Sequence, residues 1–153
     1  MKVAILYDSK YGNTKQVAEF LAEKVGAGGH EGHLFRTGES KPEDLLAVEP
    51  EVLLVGGPTH IGRPARALRK YLKKMGKIIE MGTSVEVKQL GVFNCYNNDI
   101  VCDKITKKIV QVFPNVKIYE ISLPLRTKGL RGPLSNDWED KASTYIAGFL
   151  NFL

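Results

Sequence analysis

Apolar positions along the chain switch between short continuous runs and helical spacing. Val3 to Tyr7 is a continuous run, Asp8 to Gly12 is turn chemistry, and Val17, Ala18, Leu21 and Val25 then recur at helical intervals. Gly26 to Gly32 ends that helix, and His33 to Arg36 can form a second strand. Ser40 with Glu43 reads as a capping box, with Pro42 just inside a short helix. Val52 to Val55 is a third strand, followed by a long Gly/Pro loop from Gly56 to Pro64. Leu68, Tyr71, Leu72 and Met75 mark one face of the next helix, while Arg66, Arg69, Lys70, Lys73 and Lys74 lie largely elsewhere on it. Leu90 to Phe93 makes a fourth strand; Val101, Ile105, Ile109 and Val112 keep helical spacing; Val116 to Ile121 supplies a fifth strand. After a polar, Gly-rich stretch from Arg126 to Asn136, the apolar set from Ala142 to Leu153 closes the chain as an amphipathic helix.

Strands alternating with helices imply an α/β fold, a parallel sheet covered on both faces through right-handed crossovers. In such a sheet a ligand sits beyond the carboxyl ends of the strands, at the topological switch point. The loops at 8–14, 56–64 and 94–99 are therefore expected to converge.

The chain's 153 residues suit one domain, and 43% hydrophobic with 25% charged residues is the balance of an ordinary globular protein. No apolar run reaches the roughly 20 residues of a membrane span. The apolar stretch before Asp8 is too short for a secretory signal, so a cytoplasmic protein is expected. Cys95 and Cys102 fit neither a redox pair nor a metal framework and are expected as reduced thiols. His30 and His33 have only Glu31 nearby, so no metal is assigned. Charge is uneven: residues 1–51 hold 6 basic and 9 acidic side chains, residues 52–153 hold 16 and 8. An acidic partner protein, a nucleic acid or an anionic membrane surface can each exploit that bias, and a solvated helix face needs no partner. Nucleic acid is disfavoured, because Tyr71 is the sole aromatic in the basic stretch and lies on the apolar face.

Ser9, Lys10, Tyr11, Gly12, Asn13 and Thr14 place small, hydroxyl and amide residues directly before a helix, where free N–H groups and the helix dipole favour an anion. The loop matches neither the triphosphatase nor the dinucleotide glycine pattern. Gly56-Gly57-Pro58 lacks the aspartate that a response regulator carries after its third strand. Val101 and Lys108 stand where a Cys-x5-Arg phosphatase has arginine.

In its position after a first strand, Ser9 to Thr14 resembles the FMN phosphate loop of the flavodoxin family. Gly57, Pro58, Thr59, His60, Ile61 and Gly62 resemble that family's first flavin-flanking loop, and Asn94, Cys95, Tyr96, Asn97, Asn98 and Asp99 fall where its second one follows the fourth strand. The resemblance implies a flavodoxin-like three-layer α/β/α sandwich over residues 1–153, with a five-stranded parallel sheet of order 2-1-3-4-5. It also implies FMN as cofactor, His60 and Tyr96 as flanking rings, and a peptide flip at Gly62 or Gly57. A flavin carries the electrons itself, so the protein need supply only an anchor, a slot and polar backbone. This chain departs from many flavodoxins in having His60 where a tryptophan or tyrosine stands, and in being basic rather than acidic.

The implied function is electron transfer between a reductase or ferredoxin-like donor and an acceptor protein, with an acidic partner surface suiting the basic half. The alternative is an FMN-dependent oxidoreductase on the same fold, a quinone reductase or a menaquinone-linked enzyme similar to protoporphyrinogen oxidases. The short stretch from Asn94 to Asp103 leaves little room for the substrate-covering insertion of several such enzymes.

Overall fold

The computed structural model describes all 153 residues. Strand β1 (Lys2–Tyr7) pairs in parallel with β2 (Glu31–Arg36) on one side and β3 (Val52–His60) on the other. β3 continues in parallel to β5 (Gln89–Tyr96), and the far edge is shared by β6 (Lys117–Ile118) and β7 (Leu123–Arg126). A two-residue strand, β4 (Arg63–Pro64), folds back on the end of β3. Five helices cover the sheet: α1 (Asn13–Ala27), α2 (Pro42–Ala47), α3 (Arg66–Glu80), α4 (Cys102–Val112) and α5 (Trp138–Phe152).

Alternation along the central strands builds the two cores. Ala4 and Leu6 of β1 point to one face, with Leu53 and Val55 of β3, and meet Leu68, Leu72 and Met75 of α3 and Ile105 and Ile109 of α4. Val3 and Ile5 point the other way, with Leu54 and Phe93, against Val17, Leu21 and Val25 of α1 and Ile146 and Phe149 of α5. Both faces of the sheet are covered by apolar side chains, so the near-continuous apolar runs of β1 and β3 are what a doubly covered parallel sheet requires.

The expected order holds, and four local expectations are revised. The fifth sheet position is filled by two segments rather than by 116–121: β6 pairs with Gln89 and Leu90, and β7 with Phe93 to Tyr96. Pro124 sits within β7, an edge strand, where a missing N–H removes no ladder bond. β3 does not stop at Val55 but runs on through Gly56, Gly57 and Pro58 to His60, and β5 extends to Tyr96. The capping box forms one residue later than Ser40 and Glu43. Lys41, held extended by the following Pro42, is the N-cap, and its N–H donates to the Asp44 carboxylate at 2.9 Å.

Two positions fix the backbone near the strand ends. Gly91 lies beneath α5, where a Cβ would stand 2.7 Å from Leu54 Cδ2 and Phe149 Cε2 and closer still to the Tyr145 hydroxyl. The β3–β4 hairpin turns through only two residues, Ile61 (φ 51°) and Gly62 (φ 69°), the positive-φ signature of a type I′ turn. Asparagine and glycine favour that conformation, whereas a β-branched residue is strained in it. Ile61 is 100% exposed, so no packing offsets the strain.

Gly91→Ala is expected to lower stability by about 1–3 kcal/mol through overpacking, read as a lower urea midpoint. Ile61→Asn is expected to raise stability by about 1 kcal/mol in the same assay, since it replaces a strained residue with one the turn prefers.

Candidate cofactor site

The β1–α1 loop leaves the sheet at Asp8, whose N–H still donates to the Gly56 carbonyl at 3.2 Å. Ser9, almost fully buried, turns its hydroxyl under the loop and accepts from the N–H of Gly12 and of Lys15, both at 3.2 Å. Gly12, at φ 92°, is the N-cap of α1, a left-handed conformation that glycine adopts without strain. Arg36 of β2 donates to the Ser9 carbonyl at 2.6 Å and pins the loop from the side. With Ser9 taking two donors, the N–H groups of Lys10, Tyr11, Asn13 and Thr14 have no acceptor in the protein. The first turn of α1 carries no acidic residue. Free donors at a helix start with no internal carboxylate make an anion nest.

The other two loops are held by one buried amide. Asn94 is 0% exposed; its Nδ2 donates to the Gly57 carbonyl at 2.9 Å and to the Thr59 hydroxyl at 3.1 Å, and its Oδ1 accepts from the Val101 N–H at 2.9 Å. The Thr59 hydroxyl in turn donates to the Asp99 carbonyl at 2.6 Å. Asn94 thus locks β3, β5 and the start of α4 together, and its polar atoms are engaged by protein. Lys104 of α4 donates to the Gly62 carbonyl at 2.6 Å, so the peptide expected to flip is held away from the cavity.

The three loops converge as expected on a cavity of about 390 Å³, within the range of small-molecule sites. Ser9, Lys10, Tyr11, Asn13 and Thr14 line it from the first loop, Pro58, Thr59, His60 and Ile61 from the hairpin, and Cys95 and Asn97 from the third. Gly12, Gly62, Asn94, Tyr96, Asn98 and Asp99 are not at its wall. Tyr96, the half-buried last residue of β5, is next to the cavity-lining Cys95. The aromatic side chains in the lining are Tyr11 and His60. Burial pushes the Cys95 thiol up to about 11, with an opposing hydrogen bond from Thr14, and it stays protonated at neutral pH.

Thr127 and Leu130 complete the wall, and the sequence reading missed both. They lie on the segment joining β7 to α5, read from sequence only as a polar, Gly-rich stretch. The segment closes on itself through Lys128 N–H to the Pro133 carbonyl at 2.8 Å and leans onto the first loop, where Asn13 Nδ2 donates to the Arg131 carbonyl at 3.2 Å. Gly132, at φ 101°, lies so close to the Asn13 amide that a side chain there would strike it. The Lys10 ammonium and the Arg131 guanidinium sit over the Tyr11 ring, 5.3 and 5.7 Å from its centroid. A phosphate at one end and a flat ring system between Tyr11, His60, Pro58 and Leu130 suit this lining. No acidic side chain lines it, and Lys10 does.

The profile of the flavodoxin domain matches residues 4–93, more than half of the chain. Among curated proteins, the chain is similar to an NAD(P)H dehydrogenase (quinone) of Gluconacetobacter diazotrophicus, 28% identical over 102 residues, covering 55% of this chain and 51% of that protein. It is also similar to a flavodoxin of Aquifex aeolicus, 37% identical over 71 residues, covering 46% of this chain and 37% of that one. The chain thus spans about half or less of the length of these curated relatives. Among solved structures, oxidised flavodoxin 1 from Bacillus cereus superposes with a TM-score of 0.79 at 14% identity, covering 100% of this chain and 99% of that one. A flavodiiron core, Flv1 from Synechocystis, superposes with a TM-score of 0.73 at 17% identity over 99% of this chain but 36% of its own. By the matched profile, the chain belongs to the flavodoxin domain family.

Proposed function

We propose that this protein binds FMN and carries electrons between a reductase or ferredoxin-like donor and an acceptor enzyme. The observation that carries this reading is the nest of free N–H groups at the start of α1, opening on a cavity free of acidic side chains. Lys10, Tyr11, Asn13 and Thr14 would donate their backbone N–H groups to the phosphate, while Ser9 and Gly12 hold the loop in shape. Pro58, Thr59, His60 and Ile61 would form one wall of the ring slot, Cys95 and Asn97 its inner end, and Thr127 and Leu130 its cover. Asn94 and the carbonyls of Gly62, Tyr96 and Asp99 would act from behind, by fixing the loops. Bound FMN supplies one- and two-electron chemistry, so no side chain need act as a general acid or nucleophile. Cys95, protonated at neutral pH, takes no covalent part.

A second reading, a two-electron oxidoreductase acting on a quinone, is supported by the relatives named as NAD(P)H dehydrogenases (quinone). The carrier reading is preferred because β5 ends at Tyr96 and α4 begins at Cys102, which leaves little room for a substrate-covering insertion.

Titration followed by flavin fluorescence is expected to show FMN binding at least about tenfold tighter than riboflavin, because a charge-assisted hydrogen bond is worth about 1.5–3 kcal/mol. Lys10→Glu is expected to weaken FMN and leave riboflavin nearly unchanged. Equal affinities would remove the phosphate anchor from the account. Steady oxidation of NAD(P)H by a quinone with no added reductase would favour the enzyme over the carrier.

A further inference from the structure

Five of the 22 Lys and Arg side chains are ion-paired with a carboxylate, and unpaired cations line one groove densely. On α3, Lys74 is paired with Glu43, but Arg66, Lys70, Lys73 and Lys77 have no acidic partner, and neither does Lys108 opposite them on α4. Between the two helices runs a groove of about 590 Å³ in which Glu80 is the one acidic side chain. Unpaired cations on one helix face repel each other, so they weaken the fold slightly and favour whatever anionic surface covers them.

This face is continuous with the cofactor cavity. Arg66 and Lys70 also line a hollow whose other wall is Asp8, Ser9, Lys10 and His60; the last three belong to the cavity as well, and the Asp8 carboxylate accepts from the Thr37 hydroxyl. Three of the nine exposed large apolar side chains line the cavity: Ile61 at 100%, Leu130 at 79% and Tyr11 at 46%. Ile61 stands there in a turn that asparagine would stabilise, so an apolar side chain is kept in full solvent against local strain. An apolar centre with a charged flank is the anatomy of a transient protein interface.

We propose that the cavity mouth and the outer face of α3 form one docking surface for an acidic electron-transfer protein, with Ile61 and Leu130 at its centre and Arg66, Lys70, Lys73 and Lys77 steering the approach. This rests on the FMN reading for its purpose, which is to bring a donor to the cofactor edge. A nucleic acid fits less well, since the one aromatic of α3, Tyr71, is buried with its hydroxyl donated to the Lys41 carbonyl. A lipid surface fits less well because no large apolar side chain is exposed on α3 between Ile61 and Met81, which leaves nothing along the cationic face to insert.

The test uses a plant-type [2Fe–2S] ferredoxin, an acidic protein, fluorescently labelled and titrated by anisotropy with no flavin added. At about 10 mM ionic strength, where screening extends only beyond about 30 Å, binding is expected and is expected to weaken steeply with salt. The triple variant Lys70→Glu, Lys73→Glu, Lys77→Glu is expected to lose about tenfold or more and to gain binding to basic cytochrome c. Ile61→Asn is expected to weaken ferredoxin binding while keeping its salt dependence. With FMN loaded, the photoreduced cluster gives up one electron and the bound flavin takes it, and the triple variant is expected to slow that step without altering FMN affinity. Ferredoxin binding that is absent, or indifferent to salt and to the triple variant, would overturn the proposal. So would sedimentation with phosphatidylglycerol vesicles through the same lysines when ferredoxin does not bind. If FMN fails to bind while ferredoxin binding behaves as expected, the cofactor reading fails and the docking surface stands.

Discussion

Four backbone N–H groups at the start of α1 have nothing in the protein to bond, and the arrangement of the site follows from that. A chain leaving a central parallel strand for a covering helix must turn within a few residues, and here the turn is made by Gly12 in the left-handed region and Ser9 beneath it. Ser9 satisfies two donors and leaves the others at the surface, where an anion can take them. Because β1 lies between β2 and β3, with α1 over one face and α3 against the other, this loop sits at the point where the sheet reverses its order.

The remaining walls are rigid because one buried amide holds them. Asn94 bonds the ends of β3 and β5 and the start of α4 at once, and leaving its partners unpaired would cost about 1–3 kcal/mol for each buried group. The hairpin that Thr59 and Lys104 clamp from either side then presents Pro58, His60 and Ile61 to the cavity. Charge is arranged to the same end: the cavity wall has a lysine and no carboxylate, and Arg66 and Lys70 of α3 reach it across a hollow in which Asp8 is the one acidic side chain.

Much of this was legible in the sequence, and the exceptions share a cause. Runs such as Val3 to Tyr7 and spacings such as Leu68, Leu72, Met75 report burial, which is a local pattern, and they located the central strands and main helices. The loop from Ser9 to Thr14 was readable because its chemistry is contiguous. Thr127 and Leu130 were not, since their place at the cavity depends on a distant contact, the Asn13 amide against the backbone of Arg131 and Gly132. The extra length of β5 was hidden as well: the strand carries on past Phe93 to Tyr96 and brings Cys95 to the cavity. The split of the fifth sheet position was hidden by Pro124, which reads as a strand breaker unless the strand is known to lie at an edge.

A nest of free N–H groups that holds the FMN phosphate, as proposed, favours its doubly charged form, and phosphorus NMR of the protein mixed with FMN reads that charge state. A free phosphate monoester titrates with a pKa of about 6. Donated hydrogen bonds and the helix dipole favour the more charged species, so the bound pKa is expected to fall. The expected result is a shifted resonance that does not move between about pH 5 and about pH 8, because the dianion persists throughout. A resonance that follows the titration of free FMN over that range would contradict it.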